Sequence, residues 1–302
     1  MNLSPSTRDQ TRGLWLGALG VLIFAMTLPM TRLAVGPLDA PQLPPAFVTA
    51  GRAAGAGLLS IVYLWLTGAT RPQRAQLGLL AISALGTVLG FPIGLAMALR
   101  EVPSMHAAVV TGVLPLATAA VAALALRQRA SAGFWLCAVA GCALVLAFAL
   151  QEGGGAPVAA DGWLLLSVAS ASIGYVAGAR LSAQWRAEHV ISWVLVLSLP
   201  ATLPVALWAW PAAPVRAAAW GAFGYVTVFS MWLGFFAWYR GLALGGALRV
   251  SQVQLIQPFL ALLLAVPVLG EALTPSTLGF SLAVVAVVLV GKRMPVRAAV
   301  KA

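Results

Sequence analysis

Acidic side chains are almost missing from this sequence: seven Asp and Glu in 302 residues, beside eighteen Lys and Arg, two His and two Cys. A water-soluble domain covers itself with charge, usually about a quarter of its residues, and this chain has 8%. So little charge excludes a soluble globular protein. It also excludes most chemistry. An active site at depth needs a nucleophile with its base, paired carboxylates or a metal-ligating cluster. The acids Asp9, Asp39, Glu101, Glu152, Asp161, Glu188 and Glu271 instead fall at termini or between apolar runs, and His106 and His189 fall near opposite ends of such runs. Cys137 and Cys142 stand five apart on one apolar run. They do not share a helical face and read as packing residues, not as a disulfide or metal pair. Long polar stretches are lacking too, which leaves no room for a soluble catalytic domain. No catalytic residue, metal or cofactor is expected, and the chain is read as no enzyme.

What is present is apolar sequence: 61% hydrophobic residues and a mean hydropathy of +0.96. Charge-free runs of about twenty residues recur, the length that crosses roughly 30 Å of bilayer hydrocarbon. Ten spans are read, at 13–35, 45–66, 77–99, 103–126, 132–150, 162–184, 190–209, 218–240, 248–269 and 275–293. The fold class is an all-α integral membrane protein. The first run is too long for a signal-peptide core and reads as a retained helix. With the N-terminus inside, fourteen basic residues from Arg8 to Lys301 face the cytoplasm, while only Arg100 and Arg216 join the five acids Asp39, Glu101, Glu152, Asp161 and Glu271 outside. That is the positive-inside asymmetry, and it places both termini in the cytoplasm. The net charge of +11 then serves to hold loops against anionic headgroups. It is scattered over many loops, so no nucleic-acid partner is expected.

The two halves resemble each other. "VVTGVLPLATAAVAALALRQRAS" (109–131) overlays "VQLIQPFLALLLAVPVLGEALT" (253–274), matching Pro115 to Pro258, Gln128 to Glu271 and Ser131 to Thr274. "MTRLA" in the first span has a counterpart in "GARLS" in the sixth. Two five-helix repeats, 13–150 and 160–293, follow. An odd number of spans per repeat forces the second copy to enter inverted, an architecture of secondary transporters. Proline in a membrane helix frees a carbonyl, which is tolerated beside protein or a cavity. Pro115 and Pro258, near the middle of the fourth and ninth spans, therefore mark either structural kinks or, as their matched positions favour, a cavity lining, and Pro29 and Pro92 interrupt the first and third.

At this point the residues reach a family. The segment 241–292, with its small-residue loop "GLALGGALR", central Pro258, Gly270-Glu271 and Gly279, resembles the C-terminal half-repeat of the drug/metabolite transporter superfamily. "PPAFVTAGRAAGAGLL", with Pro45 and Arg52, is similar to that family's second helix. Phe24-Ala25 stands where many members have Trp-Gly, and Gln128 replaces the first repeat's glutamate. The resemblance, to the ten-helix EamA-domain type, implies an inner-membrane exporter of metabolites, a group that includes exporters of aromatic and other amino acids.

Polar residues at depth need a reason, since a charge there costs roughly 2.5–3.5 kcal/mol even on insertion scales. Arg52, about 10 Å into the second span, either holds a substrate carboxylate or hydrogen-bonds freed carbonyls. Arg32 snorkels to the outer interface. The ninth span offers Ser251, Gln254 and Pro258 on one face with Gln257 beside them, and Thr111 matches Gln254 in the other half. These amides either bind a zwitterion or glue helices together. "YVTVFSMWLGFFAWYR" (225–240) sets Tyr225, Phe229, Trp232, Phe236 and Tyr239 at helical spacing, a stripe that either lines a cavity for an aromatic solute or packs. With Tyr175 of the sixth span, the candidate binding residues are Arg52, Pro92, Thr111, Pro115, Tyr175, Phe229, Trp232, Phe236, Tyr239, Gln254, Gln257 and Pro258. Gly86, Gly90 and Gly94 share one face of the third span, and Ser167, Ala171, Gly174 and Gly178 one face of the sixth; both suit close helix packing. No acid lies near a midplane, so proton coupling lacks a carrier and facilitated export is expected, with His106 or Glu271 as the fallback proton site. The partners expected are a small solute, an amino acid or similar metabolite, and membrane lipid. A monomer suffices. The alternatives are a proton-coupled exporter of other metabolites or drugs, and a receptor or scaffold without flux.

Overall fold

Helix starts and stops follow local sequence. Pro45 lies in the first turn of its helix, where the missing N–H is no loss. Gly36 and Gly270, each at φ 69°, end two helices in a conformation that disfavours a side chain. Thr274 caps the last helix by accepting from the Thr277 amide at 3.1 Å, as the Thr-Pro pair leads one to expect. A computed structural model describes residues 7–125, 129–152, 158–182, 185–245, 253, 256–294 and 296–297. Ten helical segments follow one another there: α1 (Thr11–Val35), α2 (Pro45–Leu66), α3 (Arg74–Glu101), α4 (Ser104–Ala125) and α5 (Ala132–Glu152), then α6 (Ala159–Ser182), α7 (Ala187–Trp208), α8 (Ala217–Trp238), α9 (Gln257–Leu269) and α10 (Pro275–Arg293). Seven of them are long and apolar enough to cross a membrane. The other three, α5, α9 and α10, hold the shorter apolar windows Ala132–Phe148, Gln257–Leu269 and Pro275–Gly291. Among the described residues the rest of the regular structure is a two-residue antiparallel ladder, Arg129–Ala130 with Val296–Arg297.

Four of these segments are irregular. The first turns at Met26, between Thr7–Ala25 and Thr27–Val35. The fourth breaks between Ser104–Thr111 and Leu114–Ala125. Within α3 and α8, Ala84–Gly90 and Val226–Leu233 are π-helical, a wider turn with i→i+5 bonds. The two matched prolines do not sit inside continuous helix. Pro115 is the second residue of Leu114–Ala125 and Pro258 the second of α9, positions where proline strands no donor.

The segments pack in pairs: α2 along α7, α5 along α10, α1 on α8, α3 on α6, with α4 against both α6 and α9 and α9 against α1. The closest crossing is α3 with α6. A Cβ on Gly86 would lie 2.4 Å from the Ser170 carbonyl oxygen, and one on Gly94 would lie 2.4 Å from Ser167 Oγ. The two small-residue faces, read as suited to close helix packing, therefore meet each other. Outward faces carry Leu, Ile, Val and Trp; Trp15, Trp65 and Trp208 are 74%, 78% and 84% exposed, which for indoles means lipid or its interface. This is a multi-pass membrane protein.

Charge collects at the two ends. One end, here the acidic end, joins Leu38 N to Arg100 O at 3.1 Å and Arg216 N to Gln42 Oε1 at 3.1 Å. Glu271 also lies there. The basic end carries the Arg129–Arg297 ladder and Arg180, which donates to the Ala125 carbonyl at 2.8 Å.

Candidate functional site

The acids deviate first from the sequence reading. Asp161 lies in the first turn of α6, not in a loop, and is buried. Its Oδ1 is 2.7 Å from Nε2 of buried His106 on α4, and its Oδ2 accepts from Val158 N at 3.1 Å. His106, read from the sequence as a fallback proton site near the end of its span, packs its ring on Phe148 at 5.0 Å. Glu271 also has a fixed role. Its oxygens accept from Ser104 N at 2.7 Å, Met105 N at 2.9 Å and Ser104 Oγ at 3.1 Å, satisfying the free amides where α4 begins. Arg32 donates to the Leu99 carbonyl and, with Arg216 and Glu271, lines a recess of about 280 Å³ at the acidic end.

Deeper in, two small neighbouring cavities between the halves of the chain share Leu28, Thr111, Leu114 and Gln257 as walls. The first, about 60 Å³, adds Phe24, Thr27, Arg52 and Thr87, then Phe91, Tyr175, Ser230, Met231 and Phe235. The second, about 30 Å³, adds Pro115, Pro258, Ala261 and Val285. Arg52 is 3% exposed. Its Nη2 donates to Ser230 Oγ at 2.9 Å, and Ser230 Oγ is 2.8 Å from Thr27 Oγ1. Arg52 Nε and Nη1 are buried and have no partner among the described residues, and the same holds for Oε1 of Gln257. Isolated buried groups of this kind are costly unless something supplies the missing bond. Each of these cavities is lined from both halves of the chain.

What does this arrangement belong to? The sequence model of the EamA-like transporter family matches residues 11–150 and again residues 158–291, nearly the whole chain in two copies. The chain belongs to the EamA-like transporter family. It is 42% identical over 290 residues to "Uncharacterized transporter YdeK" of Bacillus subtilis, covering 94% of this chain and 99% of that one. A shorter similarity, 37% over 118 residues, reaches the ESX-4 secretion system protein eccD4 of Mycobacterium tuberculosis and covers 38% of this chain and 24% of that protein. A solved crystal structure superposes with a TM-score of 0.61 at 16% identity, over 93% of this chain and 96% of its own. That likeness concerns the fold alone. The resemblance to the drug/metabolite transporter superfamily is thereby borne out, and the chain is a transporter.

The site of this EamA-like protein gathers six of the twelve sequence candidates: Arg52, Thr111, Pro115, Tyr175, Gln257 and Pro258. Pro92 is buried in α3 but is not part of the wall. Gln254 and the side chain of Tyr239 lie outside the described residues. The aromatic stripe divides. Phe229 stacks on Tyr225 at 5.3 Å and is 44% exposed, while Trp232 and Phe236 pack around Tyr63 of α2 at 6.2 and 4.7 Å. Their reverse side, Ser230, Met231 and Phe235, meets the cavity. The π-helical turns at 226–233 rotate Phe229 away from Trp232 and Phe236, so a stripe that 3.6-residue spacing puts on one face becomes two groups. The small hydroxyls Thr27, Thr87 and Ser230 were missed because a lone Ser or Thr in an apolar run carries no positional signal.

Proposed function

We propose that this protein exports small metabolites, amino acids with aromatic or hydrophobic side chains foremost, by alternating access through the central cavity. The observation that carries the proposal is the buried polar space walled from both halves of the chain, with an arginine at its edge. About 60 Å³ accommodates a few waters, at roughly 10–15 Å³ each, so an amino acid enters only when the walls part.

The moving bodies in this reading are the two inverted five-helix halves, 13–150 and 160–293. Exchanging each helix for the one five places on sends α1·α8 to α6·α3 and α4·α6 to α9·α1, and maps α2·α7, α4·α9 and α5·α10 onto themselves. These main pairings survive the exchange, as a two-fold axis between the halves would require, whereas the lesser α1·α3 and α4·α10 contacts have no counterpart of similar extent among the described residues. The π-helical turns fall on the exchange pair α3 and α8, and the second-position prolines on α4 and α9. The family match to each half points the same way. The basic end faces the cytoplasm with both termini, and the acidic end faces outward across a bacterial inner membrane. One chain suffices for the path.

Flux is set by the solute gradient. The sequence ground for this, that no acid lies near a midplane, is qualified by Asp161, which is buried although it stands in the first turn of α6 at the acidic end. The new ground is position: the His106–Asp161 pair is not part of the cavity wall, so proton and solute do not compete for one site. The test is flux of labelled tryptophan, phenylalanine, threonine and a nucleoside into proteoliposomes, each with and without a pH gradient. Saturable amino-acid flux that ignores the gradient is expected. Flux that vanishes without a gradient would overturn the coupling assignment, and no flux of any solute would overturn the substrate assignment.

A further inference from the structure

Among the described residues Arg52 is a cation without a counter-ion. It is buried, two of its nitrogens have no protein partner, and the described walls of its cavity contain no Asp or Glu. Its single protein bond goes to Ser230, whose hydroxyl is already shared with Thr27. That hydroxyl cannot neutralise a guanidinium. In a low-dielectric surrounding such a charge calls for an anion, and a guanidinium's spread donors suit a carboxylate. Gln257, on the same cavity, presents the opposite need: its Oε1 is buried and lacks a donor. One idle donor set and one idle acceptor, with no acid nearby, match a solute that carries a carboxylate and an amino group together. They do not match a lone cation, which would meet Arg52 with nothing to offset the repulsion.

We propose that Arg52 receives the carboxylate of an α-amino acid zwitterion and that Oε1 of Gln257 accepts a hydrogen bond from its ammonium. The side chain then lies against the rings of Phe24, Phe91 and Phe235. The assignment rests on the proposed reading of this cavity as the place where the solute binds, and it narrows that reading to a class of solute.

The experiment is equilibrium binding of labelled phenylalanine, leucine and threonine to the purified full chain in detergent. Each is competed by two relatives with the same side chain, the amine-free acid and the decarboxylated amine. In the wild type the acid competes and the amine is weaker by about tenfold or more, the margin a lost charged hydrogen bond gives. Arg52→Gln lowers amino-acid affinity by about tenfold or more. Gln257→Leu weakens the amino acid while leaving the amine-free acid within about twofold. Equal competition by the decarboxylated amine overturns the proposal, as do undiminished binding to a folded Arg52→Gln protein and a lack of saturable binding of all three amino acids. Should Arg52→Gln fail to fold, the wild-type competition and Gln257→Leu still decide. Binding through Arg52 by a protein that moves nothing in proteoliposomes would sink the transport reading and leave this one standing.

Discussion

Asp161 and Glu271 show what a single side chain does in a chain with seven acids. Both stand at the acidic end, and both join the first half of the sequence to the second. Glu271 does so at the amides opening α4, and Asp161 at His106 on that same segment. Neither role is visible in the sequence. Asp161 precedes an apolar run, where a loop acid and a buried first-turn acid look alike, and the His106 that fixes its burial is 55 residues away. Arg52 was legible because any arginine in an apolar span needs a reason. Removing the His106 partner strands a buried carboxylate oxygen, and so does removing Asp161 for the ring. We expect His106→Ala and Asp161→Ala each to cost about 1–3 kcal/mol, read as a fall in melting temperature in detergent. Because the two side chains share one bond, the double variant should cost clearly less than the sum. Additive losses would mean that the 2.7 Å link contributes nothing.

At the scale of the element, irregularities matter more than the helices. The seven membrane-length helices and the three shorter apolar ones were readable from hydropathy, and the small-residue faces of α3 and α6 from three- and four-residue spacing. The π-helical stretches were not, because an i→i+5 turn is a compromise between packing and backbone bonding that no local motif announces. That is why the aromatic stripe divides. Two substitutions on α8 separate the faces. Trp232→Ala removes a ring that packs on Tyr63 and Phe236. It should destabilise by about 2–4 kcal/mol while leaving the transport KM within about twofold. Phe235→Ala, on the cavity side, should raise KM for an aromatic solute. The reverse pattern would return the site to the stripe. The α3–α6 crossing makes a harsher prediction. At Gly94 a β-carbon would lie 2.4 Å from Ser167 Oγ and 2.6 Å from the Trp163 carbonyl oxygen, with backbone on one side that cannot retreat. Gly94→Leu should therefore yield little folded protein, measured as the monodisperse fraction after extraction, whereas Gly221→Leu, where nothing lies within 4 Å, should behave as wild type.

The whole molecule turns the exchange of helices five apart into a mechanism. If two inverted halves trade conformations, contacts between halves at the acidic end must break when that end opens, and those at the basic end must break in the other state. At the acidic end the bonds from Glu271 to Ser104 and Met105 are such a contact, placed where the recess of Arg32, Arg216 and Glu271 begins. The overlay of 109–131 on 253–274 already suggested paired halves in the sequence. Which contacts join them was beyond it, since the bonds from Glu271 span 167 and 166 residues and the His106–Asp161 bond spans 55. In a background with Cys137 and Cys142 replaced by serine, the pair Ser104→Cys and Glu271→Cys can be bridged by a short dithiol-reactive reagent. Bridging should abolish flux, and reductive release should restore it. Solute binding from the basic side should survive in the bridged protein, because the cavity is not touched by the link. Unimpaired flux through a fully bridged protein would mean that this end does not open between α4 and the α9–α10 turn, and the axis of motion would have to lie elsewhere in the bundle.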